Sequence, residues 1–271
     1  MKVTAIIPTL ANETTRPYLR LCVESLRATT DWDIVVVTNG TRTAETLGID
    51  GITTRLHTRD QGQANAVNIG VQVAAPDTDY IFVSNDDMYY APGWFNHVEG
   101  AEYPLVWSPN LIEPTNNNGS AAPFLKLDAG FTLEEFNRNL VDRFVKAHED
   151  NQEENGFNLP FFVKKGVWNT IGGYDVAYDP WGSGSDTDLQ MKFELAGITP
   201  KRLRDHTVYH FSNKSGTFDG THQDYWQNNW DYLQSKWGFN RDEAGSDTWY
   251  CKDMIMWDKL KYHPKWEGRF K

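Results

Sequence analysis

The residues best equipped for chemistry are Asn85-Asp86-Asp87, which follow directly on the apolar run Asp79 to Ser84. Adjacent carboxylates at the end of a buried strand supply hard oxygen ligands for Mg2+ or Mn2+, and such an ion can bridge a diphosphate. An Asp-Asp pair in this place is also a common turn or helix cap, so its surroundings decide the reading. A second pair, Asp186 and Asp188, opens a helical pattern after Trp181-Gly182-Ser183-Gly184-Ser185. In a first helical turn the dipole favours the ionised carboxylate that a general base requires. Ser185-x-x-Asp188 is capping-box-like, so both carboxylates could simply serve the helix start, and capping is the favoured reading for Asp188. His210, in Val208-Tyr209-His210-Phe211-Ser212, could serve as a ligand, although a lone His after a strand is more often structural. His206 and His222 are nearby substitutes.

These groups need a scaffold, and the first 100 residues alternate strand and helix patterns as βαβ units do. Val3 to Pro8 and Asp33 to Thr38 are apolar strands, the second stopped by Asn39-Gly40. Residues 17–29 open with Pro17 and carry Leu19, Cys22, Val23 and Leu26 on one face; residues 63–74 carry Ala64, Val67, Val71 and Ala74. The spacing predicts an α/β fold with a mostly parallel sheet, and in such sheets ligands lie outside the carboxyl ends of strands, where Asp86 and Asp87 fall. Further on, Asn110 to Ser120 reads as a surface loop and Glu149 to Glu154 as a solvated acidic loop. Thr132-Leu133-Glu134-Glu135 predicts a capping box for a helix through Phe136, Leu140, Val141, Phe144 and Val145. Phe161 to Lys164 reads as a strand, Gly172-Gly173 as a turn, and Ser185 to Gly197 as a helix capped by Ser185.

The chain has 271 residues, 26 Lys plus Arg against 37 Asp plus Glu, and a formal charge of -11. That acidity argues against nucleic acid as the main partner, since phosphate binding normally shows as a basic stripe. No run approaches the roughly 20 apolar residues of a membrane span, and Met1 to Pro8 is too strand-like for a signal peptide, so the expectation is a soluble, cytoplasmic protein without a transmembrane segment. The 2 cysteines, Cys22 and Cys251, make no disulfide framework; Cys22 has the spacing of a small core residue. Trp226, Trp230, Trp237, Trp249, Trp257 and Trp266 crowd the C-terminal end. Trp226, Trp230, Leu233 and Trp237 fall on one helical face, which means packing.

Taken in order, Ile6-Ile7-Pro8-Thr9, Val36-Val37-Thr38-Asn39-Gly40, Gly62 with Asn68 and Gly70, and Asn85-Asp86-Asp87 resemble the family 2 glycosyltransferases of GT-A fold. Phe162-Val163-Lys164-Lys165 followed by Gly172-Gly173-Tyr174-Asp175 is similar to the family's acceptor-side turn. Trp181 to Leu189 resembles its Glu-Asp-x-Asp helix start, with a Trp-Gly lead-in similar to that of β-1,4-galactosyltransferases and polypeptide GalNAc-transferases. Tyr225 to Gly238 is similar to the helix that often closes the fold, and the resemblance runs over roughly residues 3 to 240.

The resemblance implies a metal-dependent, inverting transfer of a sugar from a nucleotide sugar to a hydroxyl acceptor. It implies that Pro8, Thr9, Asn39, Gly62, Asn68 and Asp86 serve the nucleotide, that Asp87 and His210 hold Mn2+ or Mg2+, and that Asp186 is the base. Trp181 and Gly182 would line the sugar or acceptor, where an aromatic face suits a sugar's apolar face. Leu10, Thr38-Asn39 and Ser185 depart from the family's commoner residues; UDP-sugars remain the favoured donor, with GDP- and dTDP-sugars open. Residues 1–100 would form the nucleotide-sugar half, 101–240 the acceptor-side and catalytic half of one domain, and 241–271 an extension. The acceptor would be a glycan or protein hydroxyl, with modified DNA open. A non-catalytic glycan-binding module built on the tryptophans is the alternative from another class. A sugar nucleotidyltransferase of related fold is a further one, although Leu10 to Thr15 lacks the Gly-rich, basic loop that chemistry wants.

Overall fold

The computed structural model describes residues 1–40, 47–59, 62–95, 100–115, 125–148, 150–214 and 223–238. The chain opens with Val3–Thr9 (β1), Thr15–Thr29 (α1), Asp33–Asn39 (β2), Thr54–Thr58 (β3), Gln63–Gln72 (α2) and Tyr80–Val83 (β4). β2, β1 and β4 are buried on both faces, which is why they read as unbroken apolar runs rather than alternating ones. β1 pairs in parallel with β2 and β4, and β2 with β3. Alternate side chains then feed opposite layers. Ala5, Ile7, Ile34 and Val36 pack with Leu19, Cys22, Val23 and Leu26 of α1, whereas Ile6, Val35 and Val37 pack with Ala64, Val67 and Val71 of α2. Each fully buried Val, Leu or Ile here contributes roughly 1.5–3 kcal/mol. Gly70 lets α2 approach β1: a Cβ there would stand 2.5 Å from Ile6 Cγ2.

The second half adds Met88–Tyr89 (β5), Val106–Glu113 (β6), Leu125–Lys126 (β7), Arg138–Ala147 (α3), Glu153–Asn155 (β8), Phe161–Lys164 (β9), Lys165–Ile171 (α4), Ser185–Leu195 (α5), Lys201–His210 (β10) and Gln223–Trp237 (α6). All strands join one 10-stranded sheet in the order β3-β2-β1-β4-β9-β6-β10-β5, with β7 on β6 and β8 on β10. The sheet is mixed but mostly parallel: β9 runs antiparallel between β4 and β6, and β6 and β10 are parallel again. An aromatic core of Trp32, Phe82, Trp94, Phe95, Trp107 and Phe162 fills one face, with the Trp107 and Phe162 rings stacked at 3.8 Å. Among the described residues, no helix is long and apolar enough to cross a membrane.

Several sequence expectations are corrected. Asn110 to Glu113 is the fully buried end of β6, not surface loop; buried Ser108 and Asn158 satisfy each other's polar groups across to the next strand connection. Glu153 and Glu154 lie in β8, paired with Lys201 and Arg202 of β10, rather than in a solvated loop. The helix expected after Thr132 begins only at Arg138, capped by Asn137, whose side chain accepts from Leu140 N; Glu135 instead accepts from Phe131 and Thr132 N–H groups. Ser185 does not cap α5, whose N-cap is Gly184 in the left-handed region. Asp188 does not cap it either. It is fully buried and accepts hydrogen bonds from Trp237 Nε1 at 2.7 Å and Tyr178 Oη at 3.3 Å, with Lys236 Nζ at 2.6 Å. Cys22 is buried in the core, and Trp230, Leu233 and Trp237 are buried on α6. Asn116 to Ser120, His222, Trp249, Cys251, Trp257 and Trp266 lie outside the described residues.

Candidate active site

Thr9, Asn39 and the Asn85-Asp86-Asp87 turn stand at the carboxyl ends of β1, β2 and β4, three adjacent parallel strands. Pro8 lies beyond the last β1 residue registered with β4, so its missing N–H breaks no pairing there. Thr9 Oγ1 donates to Asp86 Oδ2 at 2.6 Å and accepts from Ala11 N at 3.0 Å, so it orients Asp86. Asn39 is buried, and among the described residues its Oδ1 has no hydrogen-bond partner. An orphaned acceptor at a strand end is what a donor group on a bound molecule would satisfy.

Asp86 and Asp87 are both buried, side by side. Burial, and then the negative charge of Asp87, push the Asp86 carboxyl above its ordinary range. For Asp87, burial works against ionisation, but the neighbouring His210 outweighs it and holds the carboxyl below its ordinary value. His210, the last residue of β10, places Nε2 3.3 Å from Asp87 Oδ1 and Nδ1 3.3 Å from Glu113 Oε1. Burial opposes the charge on this imidazole, yet the Asp87 and Glu113 carboxylates prevail and raise it to about 10. Burial likewise opposes charge on Glu113, and the His210 hydrogen bond and Lys126, at 2.9 Å, overcome it and hold the carboxyl at about 2. Phe211 N donates to Asp87 O at 3.0 Å, fixing the turn against β10.

This donor set fits a divalent ion. Two ligands on one octahedral Mg2+ lie about 3 Å apart, close to the Asp87–His210 separation, and Glu113 on the far nitrogen is the kind of partner that sets a ligating imidazole's tautomer. Among the described residues, no three His, Cys, Asp or Glu side chains form a cage. Such an ion would complete its shell from phosphate and water, as Mg2+ normally does.

Asp186 sits in the first turn of α5, partly exposed, and Tyr174 Oη donates to its Oδ1 at 2.7 Å. Burial raises the Asp186 carboxyl to about 6, with the Tyr174 bond pulling it down. That range suits a base working near neutrality. Asn68 does not stand free for a nucleotide. Its side chain is committed to Tyr174, donating to the carbonyl at 2.9 Å and accepting from the N–H at 3.0 Å. Gly62 is required by packing, since a Cβ there would lie 1.8 Å from Asp179 Cγ. The Asp179 carboxylate accepts from Ala64 N and Asn65 N at 3.1 and 3.0 Å, which seats the loop leading to Asp186 on the amino end of α2. Trp181 and Gly182 lie in that loop, partly exposed, with the Trp181 ring 6.4 Å from that of Tyr225. His206 packs among Phe95, Tyr103 and Trp107 instead of joining the site.

Sequence reasoning missed Glu113, Tyr174 as the partner of Asp186, and Asp179. Glu113 was hidden in a segment read as loop. The Gly172-Gly173 turn was the signal for Tyr174: Gly173 has φ +66°, and a Cβ there would stand 2.5 Å from Asn68 Oδ1.

Residues 4–99 match the model of glycosyl transferase family 2. No curated protein sequence matches the chain. Among solved structures, S. aureus TarS residues 1–349 has a TM-score of 0.51 at 15% identity, over 90% of this chain and 74% of that one. The same fragment in complex with UDP-GlcNAc gives 0.51 at 14%, over 99% and 78%. GalNAc-T7 with UDP, GalNAc and Mn2+ gives 0.53 at 15%, over 96% of this chain and 54% of that one. At these identities the likeness is one of fold. Together with the match over residues 4–99 it shows that the chain has a GT-A fold.

Proposed function

We propose that this chain transfers a sugar, with inversion at the anomeric carbon, from a nucleotide-sugar donor to a hydroxyl of a glycan or protein acceptor. The observation that carries the reading is the cluster of Thr9, Asn39, Asp86 and Asp87 at the carboxyl ends of three parallel strands, closed by His210 from β10. Residues 1–100 supply the donor side and residues 101–240 the acceptor side. Asn39 offers its unpaired Oδ1 to the ribose or base, and Asp86, oriented by Thr9, accepts from the nucleotide as well. A UDP-sugar is the favoured donor, as bound in the TarS complex; the departures at Leu10 and Thr38-Asn39 leave GDP- and dTDP-sugars to be compared.

Asp87 and His210 would hold Mn2+ or Mg2+, which when bound neutralises charge on the leaving diphosphate. The remaining chemistry belongs to the chain. Asp186 takes the proton of the attacking acceptor hydroxyl, and that hydroxyl displaces the nucleoside diphosphate from the face opposite the leaving group. The loop of Trp181 and Gly182, held to α2 by Asp179, places the acceptor beside that carboxylate. A positioned base contributes on the order of 10²–10⁴-fold in rate.

A thermal-shift series with UDP, GDP and dTDP, each with and without Mn2+, tests donor binding. A ligand that binds only the native protein adds about 2.7 kcal/mol of stability at 100 times its Kd. One nucleotide should raise Tm, more with Mn2+, and Asp87→Ala should erase the Mn2+ increment. Glycan binding that ignores nucleotide and survives Asp87→Ala would point to a binding module instead.

A further inference from the structure

The buried tyrosine beside Asp186 has no part in the scheme above, yet it is held more firmly than packing requires. Tyr174 is buried, with its ring against Trp168 at 5.7 Å and Phe161 at 6.5 Å. Both polar groups of its backbone are taken by the Asn68 side chain on α2, at 2.9 and 3.0 Å. Gly173 lacks the Cβ that would strike Asn68 Oδ1 and the Trp168 indole, so turn, helix and ring fit together only in this arrangement. The product of that arrangement is one hydrogen bond, from Tyr174 Oη to Asp186 Oδ1 at 2.7 Å. Burial, and then the charge of Asp186, keep the phenol's own ionisation well above its ordinary range, so Tyr174 is a neutral donor at every working pH. Among the described residues, Tyr174 is the one titratable group whose interaction moves Asp186.

We propose that Tyr174 is the positioning residue of Asp186: anchored by Asn68, its phenolic O–H holds Oδ1 and leaves Oδ2 to take the acceptor proton. This rests on the assignment of Asp186 as base. The same bond does a second task. Burial alone pushes a carboxyl up, and a hydrogen bond to its charged form brings it back towards neutrality, so the base is ionised when the acceptor arrives. Removing the hydroxyl therefore moves the ionisation of Asp186 upward and frees its orientation, while donor contacts at the carboxyl ends of β1, β2 and β4 are untouched.

The test is Tyr174→Phe in the full chain, read in two ways. First, aspartate 13Cγ NMR follows the midpoint of Asp186, assigned by its loss in Asp186→Asn. The expected result is a rise of about one pH unit or more, the scale of a lost charge-assisted bond. Second, the acid limb of the kcat profile should move up by the same amount with donor KM unchanged, a one-unit shift giving roughly a fivefold loss of rate at the wild-type midpoint. 3-Fluorotyrosine at 174, a stronger donor of the same shape, should move both midpoints down, a sign that loosened packing does not produce; it also serves if Tyr174→Phe folds poorly. An unmoved Asp186 midpoint, or a shifted midpoint with a stationary acid limb, overturns the proposal. If wild-type protein turns over no donor, the transferase reading fails separately, and the NMR midpoint still decides whether Tyr174 governs Asp186.

Discussion

Asp188 separates two physical readings by magnitude. As a helix cap it would contribute about 1 kcal/mol, the usual loss on replacing a capping side chain by Ala. As the buried anchor of α6 it should contribute far more. It is 0% exposed, accepts from Trp237 Nε1 at 2.7 Å and Tyr178 Oη at 3.3 Å, and lies 2.6 Å from Lys236 Nζ and 3.5 Å from Lys192 Nζ. Breaking a fully buried ion pair from one side costs roughly 3–5 kcal/mol. Here the lysines soften that figure, because their side chains are 24% and 18% exposed and keep other partners: Asp175 at 2.6 Å for Lys236, and the Gly173 carbonyl at 2.7 Å for Lys192. The buried indole N–H loses its acceptor at 2.7 Å as well, and such a loss costs about 1–3 kcal/mol. Asp188→Ala should therefore cost on the order of 3 kcal/mol, which for a chain of this size lowers Tm by about 6–12 °C. Ser185→Ala, at a position that makes no cap bond, should change stability by about 0.5 kcal/mol or less. Differential scanning calorimetry of the two variants, with hydrogen exchange to show whether α6 opens first, measures both. A drop for Asp188→Ala of only ~2–4 °C, the cap-sized effect, would refute the anchoring role.

The rate of donor turnover should rise with pH through about 6, where Asp186 ionises, and a pH-rate profile without that limb would remove Asp186 as base. Glu194 is buried and pushed up to about 7 by burial, against a Thr199 hydrogen bond. Its folded value lies above its unfolded one, so native protein loses stability as pH rises from the ordinary carboxylate range through about 7. Glu194→Gln should accordingly match wild type at pH 4 and exceed it at pH 8 by on the order of 2–3 kcal/mol in denaturant titrations; equal stability at pH 8 would contradict this. Gly173→Ala meets a left-handed backbone, φ +66°, and Asn68 Oδ1 at 2.5 Å. It should destabilise by about 2 kcal/mol or more and slow turnover through Tyr174, as calorimetry and initial rates would show.

How much of this was legible in the sequence follows from where each residue finds its partners. β1, β2 and β4 are buried on both faces, so their apolar runs announced themselves, and Asp86 and Asp87 came with them. β6 did not, because Ser108, Asn110 and Glu113 are polar yet buried: Asn110 is satisfied by the N–H of Leu111, and Ser108 and Glu113 by Asn158, Lys126 and His210, which the local sequence pattern does not reveal. Glu113 went unseen for the same reason. β3 carries Arg55 and His57 at the sheet edge and shows no apolar period. At the site, spacing pointed to Asp186, but the choice of a cap for Asp188 failed because Trp237 and Lys236 arrive from a helix nearly fifty residues on. Gly62 and Asn68 were picked out as nucleotide contacts, and their partners are Asp179 and Tyr174; no local pattern distinguishes a glycine kept for a ligand from one kept for a carboxylate.

The transferase reading is tested most directly by nucleotide release from UDP-, GDP- and dTDP-sugars with Mn2+, comparing wild type with Asp186→Asn and monitoring donor binding alongside. The expected result is turnover of one donor class by wild type, with Asp186→Asn binding that donor equally well but transferring about 10²-fold or more slowly. Absence of turnover and of nucleotide binding across all three donors, or an Asp186→Asn variant as fast as wild type, would contradict it.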